Sequence, residues 1–181
     1  MKKIILVTKL FCFSSFSVFA QHDHGAQQKQ APASTTEATK KSNTYDAVSQ
    51  KQLSQLLTYY FNIKNALVVG DATSASTNAE AFTKTVNAID YKVLSEGNIH
   101  TLASDAGKIT ETKDISKQRG YFANLSINMI SLAKAEKLTD RPVFVAYCPM
   151  KKASWLSSEK AIKNPYYGSA MLTCGQVTET L

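Results

Sequence analysis

From Leu53 onward the apolar residues recur at intervals of three, four and seven, and this period constrains the fold more than any other feature of the chain. Leu53, Leu56, Leu57, Tyr60, Phe61, Leu67 and Val68 form the stripe of an amphipathic helix, with Gly70-Asp71 as its stop. A second helix is expected to open at Thr77-Asn78-Ala79-Glu80, which has capping-box spacing, and to carry Phe82, Val86, Ile89 and Val93 on one face until Gly97. A shorter helical segment around Ile99, Leu102, Ala103 and Ala106 stops at Gly107. Ile115, Phe122, Leu125, Met129 and Leu132 then mark a long helix running to about Leu138. Met129 and the aromatics on these stripes read as core filling, because the helical period alone accounts for them. The pattern predicts a mainly α fold, an antiparallel bundle of about four helical segments joined by short polar loops.

The last forty or so residues have a different texture. Pro142 opens a β-prone run, Val143-Phe144-Val145-Ala146-Tyr147, which leads into Cys148-Pro149-Met150, and a second run spans Met171-Leu172-Thr173-Cys174-Gly175-Gln176-Val177. Between them lie Trp155-Leu156, a helical turn expected from Ser157, and the turn-rich Asn164-Pro165-Tyr166-Tyr167-Gly168. Two strands are therefore expected to pair as a small C-terminal β-hairpin around an aromatic-lined loop. Such pairing brings Cys148, Met150, Met171 and Cys174 to one place.

The N-terminus reads as a secretory signal peptide over residues 1–20. Lys2, Lys3 and Lys9 flank an apolar run, and Val18 and Ala20 stand at the −3 and −1 positions for cleavage before Gln21. The run is short for a membrane span, which takes about 20 largely apolar residues, so the mature chain is not expected to be membrane-embedded. Cys12 lies inside that run and is expected to leave with it. The implied location is periplasmic or secreted. Residues 21–44 hold no aromatic or branched aliphatic side chain and read as a disordered linker, with residues 45–181 as the folded domain. Within the linker, His22-Asp23-His24 is a candidate second metal site, since imidazole suits copper, zinc or nickel; a solvated, idle tail is the plainer reading.

Three of the 21 basic residues and none of the 14 acidic ones precede the expected cleavage point, which leaves 18 against 14, a mature net charge of +4. No basic stripe with interleaved aromatics remains, so nucleic acid is not an expected partner.

The string Tyr147-Cys148-Pro149-Met150, Trp155-Leu156, Asn164-Pro165-Tyr166-Tyr167-Gly168, Met171-Leu172 and Cys174-Gly175 resembles the signature of a bacterial exported domain of unknown function, numbered three-three-four-seven. Asp114-Ile115, Gln118-Arg119, Phe122 and Leu125-Ser126 are similar to its helical part. Lys151-Lys152 stands where many relatives have alanine after the Cys-Pro-Met. That domain also occurs fused to periplasmic adaptor subunits of heavy-metal efflux pumps, so the resemblance implies a link to copper or silver handling and an efflux adaptor as partner. It implies no catalytic activity.

The residues themselves leave two chemistries open. Two thiolates and two thioethers make a soft ligand set that selects Cu(I) or Ag(I), with His100 as a candidate nitrogen ligand. Alternatively, an even pair of cysteines in an oxidising compartment forms a structural disulfide, closing a loop that contributes about 3–4 kcal/mol on the chain-entropy model. The function expected from the first is a soft-metal accessory protein of heavy-metal efflux. From the second it is a disulfide-stabilised interaction module docking on an adaptor through Trp155, Tyr166 and Tyr167, rings that otherwise cover the edge of a core. No enzyme is expected: there is no Cys-x-x-Cys, phosphate loop or His-Glu-x-x-His, and His100 has no orienting partner for a triad.

Overall fold

A computed structural model describes residues 46–181. The expected signal peptide, the linker and the His22 and His24 site lie outside the described residues. Four helices pack against one another: α1 (Ala47–Val69), α2 (Ala72–Asn87), α3 (Glu96–Thr110) and α4 (Ile115–Ala135). Each helix packs on the next in sequence, and no helix among the described residues is long and apolar enough to cross a membrane.

The junction of α1 and α2 shows how local chemistry sets these boundaries. Gly70 adopts φ +78°, the left-handed conformation that glycine reaches without a Cβ penalty. Its N–H bonds to the Leu67 carbonyl at 3.3 Å, and the N–H of Asp71 reaches the Ala66 carbonyl at 2.9 Å. The Asp71 carboxylate then accepts the Ser74 N–H at 2.9 Å and opens α2. One residue thus closes a helix and starts the next. The expected start at Thr77-Glu80 falls inside α2, because the first turns of that helix bury Ala75, Ser76 and Ala79, small residues that leave no hydrophobic stripe to read.

Two expected glycine stops are also corrected. Gly97 lies in the first turn of α3, which Ser95 caps through the Asn98 N–H, and Gly107 lies in its last turns. The second helix ends earlier, at Asn87, and Ile89 and Leu94 are buried in the connection that follows. Asp114 caps α4, accepting from Ser116 N at 2.8 Å and Lys117 N at 3.2 Å. Just inside that helix the fully buried Gln118 amide donates to the carbonyls of Ala72, Ile109 and Thr112, which ties the starts of α2 and α4 to the end of α3. Arg119 donates to the Leu67 carbonyl at 2.8 Å, placing a cation at the negative end of α1.

A three-stranded antiparallel sheet follows, in the order β2-β1-β3: β1 (Phe144–Cys148), β2 (Ala153–Ser157) and β3 (Gln176–Thr180). The two expected strands do pair, with Tyr147 opposite Gln176 and Phe144 opposite Thr180. The correction is the third strand. Trp155-Leu156, expected in a loop, lies in β2, where Ala146 faces Trp155 and Cys148 faces Ala153. Met171, expected in the last strand, instead ends a 3-10 turn (Gly168–Met171).

The sheet is fastened to the helices through β2 and α4, and through one phenol. The hydroxyl of buried Tyr60 on α1 accepts the Leu156 N–H at 3.0 Å and lies 2.7 Å from Ser126 Oγ on α4. Its ring stacks on Phe122 at 5.1 Å, and Phe122, Tyr166 and Trp155 continue the aromatic contact at 6.1 and 5.9 Å. Burying four large rings here supplies apolar area that joins both halves of the domain into one core.

Candidate functional site

Cys148 ends the central strand with its side chain fully buried, while Cys174 is half-buried in the turn just before β3. Their sulfurs lie 3.5 Å apart. Two constraints press Cys174 inward. Gly175 adopts φ +147°, and a Cβ there would come within 2.9 Å of both the Trp155 ring and the Tyr147 carbonyl, so only glycine lets the chain pass this close. The second is Asn164, which is fully buried. Its side-chain amide donates to the Cys174 carbonyl at 2.7 Å, its side-chain oxygen accepts the Tyr166 N–H at 2.8 Å, and its own N–H reaches the Leu172 carbonyl at 2.8 Å. Sequence reasoning took Asn164 for a turn residue. Its position before Pro165 signals a turn equally well with or without a role at the site.

The two thiols are electrostatically unequal. Burial raises the Cys148 thiol, but hydrogen bonds from the Lys151 N–H, the Asn164 side chain, the Cys174 thiol and the Met150 N–H outweigh it and hold the group below its ordinary value. Cys174 is pushed up, first because its proton is held in the bond to Cys148, then by burial and by the charge of Cys148. Cys148 is therefore the more acidic of the two thiols, and a proton shared between them favours Cys174.

The other expected ligands are placed differently. Met150 is 63% exposed in the β1–β2 turn, two residues after Cys148, and Met171 is 39% exposed at the end of the 3-10 turn, three residues before Cys174. His100 is exposed on α3 and does not join the cysteines: among the described residues no three His, Cys, Asp or Glu side chains converge. The helical period puts it on the solvent side, next to buried Ile99. Trp155 and Tyr166 are core residues rather than a contact surface, 1% and 4% exposed, and Tyr167 is half-buried against the same core. Trp155 turns inward because β2 packs directly on α4, and Tyr166, in the loop beyond β2, is held there by its hydroxyl donating to the Ser154 carbonyl at 2.6 Å.

The pair is chemically suited to a soft cation. Two thiolates on one tetrahedral zinc at about 2.3 Å sit about 3.8 Å apart, so the spacing found is near that of a metal-bound pair without selecting the metal. The geometry thus defines a mainly α domain with a paired-thiol site on a small sheet. Residues 56–141, most of the helical part, match the family model described as a protein of unknown function (DUF3347), the family that the motifs of this chain resemble. The matched residues stop before β1, and Cys148 and Cys174 lie beyond them. No curated protein and no solved structure matches the chain.

Proposed function

We propose that the protein is an exported, non-catalytic carrier of a soft monovalent cation, Cu(I) or Ag(I), bound between Cys148 and Cys174. The observation that carries this reading is the 3.5 Å separation of the two sulfurs. Thiolate ligands favour such ions over harder divalent ones, and binding releases the thiol protons. Met150 and Met171, exposed on the adjoining turns, are the thioethers that complete the soft set when the ion is bound. The signal-like N-terminus supports work in the periplasm or outside the cell. The occurrence of the resembled domain on efflux-pump adaptors supports such an adaptor as the recipient of the ion.

Anaerobic titration of the reduced protein with Cu(I) against a competing chelator tests the reading. One ion per chain is expected, lost in Cys148→Ser and in Cys174→Ser. A reduced parent that fails to compete for Cu(I) sinks it.

A further inference from the structure

We propose that Cys148 and Cys174 form a thiol–disulfide exchange site with a fixed polarity: external thiols attack at Cys174 Sγ, and Cys148 Sγ is the leaving sulfur. The proposal uses the same two sulfurs as the metal reading but needs no metal. It begins from geometry. The sulfurs at 3.5 Å need to close by about 1.5 Å to bond. Access is one-sided, because Cys148 is fully buried at the end of the central strand whereas Cys174 is partly open to solvent. An incoming thiolate therefore meets only one of the two sulfurs.

The buried side keeps the leaving sulfur within reach. Fully buried Asn164 holds the Cys174 carbonyl at 2.7 Å, so the outer sulfur stays beside the inner one as the bond between them breaks. Which sulfur leaves is set by which one is attacked. In the first step the S–S bond between the cysteines breaks as a bond forms between the external sulfur and Cys174 Sγ, and the electron pair stays on Cys148 Sγ. A second external thiolate then attacks the external sulfur of that mixed disulfide and releases Cys174, which takes up a proton. Two thiols have become one disulfide, and the protein disulfide has become a dithiol. In reverse, Cys174 attacks an external disulfide and the buried Cys148 thiolate expels the remaining half. Oxidation consumes both thiolates, so the same exchange switches the cation site off and on.

Oxidised glutathione, added to the metal-free full-length protein in the presence of a chelator, tests the polarity. The parent is expected to lose both free thiols and to carry no lasting adduct. Cys148→Ser is expected to trap glutathione on Cys174, at least about tenfold faster than Cys174→Ser traps it on Cys148. Peptide mapping of acid-quenched parent in a glutathione buffer reads the same point without a variant, and its mixed disulfide should fall on Cys174. Equal labelling of both cysteines, an adduct mainly on Cys148, or a parent that keeps two free thiols overturns the proposal. Because no metal is present, none of these outcomes bears on Cu(I) binding, which is judged on the reduced protein.

Discussion

The side-chain amide of Asn164 donates to the Cys174 carbonyl at 2.7 Å, and this bond joins the turn-rich loop to the segment that carries the outer sulfur. The same side chain accepts from Tyr166 and bears on Cys148. Replacing Asn164 with alanine leaves the partly buried Cys174 carbonyl and the buried Tyr166 N–H without partners. The expected cost is roughly 2–6 kcal/mol, since each orphaned group costs about 1–3 kcal/mol. Urea unfolding measures it. Among folded molecules the Cys148 thiolate should form at higher pH than in the parent; an unchanged thiol titration would show that Asn164 supports only the loop.

The two thiols shift in opposite directions, which gives the pair a pH signature. Cys148 is depressed in the folded state, so between its folded value and the ordinary 9.0 the unfolded chain binds more protons and stability rises with pH. Cys174 is raised, so above 9.0 the folded chain binds more protons and stability falls again. The contribution of the pair should peak near 9.0. Reduced parent and the Cys148→Ser/Cys174→Ser double variant, unfolded in parallel across pH, isolate it. A flat difference between them refutes the shared proton.

Glycine supplies a paired comparison. Gly175→Ala forces a Cβ against the Trp155 ring and the Tyr147 backbone at 2.9 Å in a conformation that L residues avoid, at an expected cost of about 1–3 kcal/mol. Gly107→Ala, in a helix with nothing within 4 Å of its Cβ, should stabilise by roughly 0.5–1 kcal/mol. Thermal unfolding of both variants decides. If the two shifts share a sign, the close passage at Gly175 is not what restricts it.

Tyr60→Phe keeps the ring stack and removes the hydroxyl that receives Leu156 N–H. The buried amide left behind should cost roughly 1–3 kcal/mol. Far-ultraviolet circular dichroism should show unchanged helix content, because the lost bond joins sheet to helix rather than helix to itself. A variant as stable as the parent would mean that packing alone holds the sheet.

Met150→Leu/Met171→Leu changes volume little, and at exposed positions it should leave stability within about 1.5 kcal/mol. Cu(I) affinity is expected to fall by less than in either cysteine variant, since thioethers are supplementary ligands here. Chelator competition gives the number. An affinity equal to the parent's makes the site a bare dithiolate.

The helices were legible in the chain because burial of one face imposes a period, and Leu53 to Val68 and Ile115 to Leu132 write it openly. The nearness of Cys148 and Cys174 was legible as well, since two β-prone runs each carried a cysteine beside or within them. What tertiary structure alone decided was which face each short element turns to the core. Small residues such as Ala75 and Ala79 carry no stripe, so the early start of α2 depends on neighbours that fit against them. The third strand has the same cause: Trp155 and Leu156 become strand only because β1 offers a free edge and α4 a surface for the indole. Burial of those rings then withdrew them from any contact surface, and it left Cys148 inside and Cys174 at the rim. A sequence states which residues are apolar or soft, whereas exposure belongs to the packed whole, and at this site exposure separates the attacked sulfur from the leaving one.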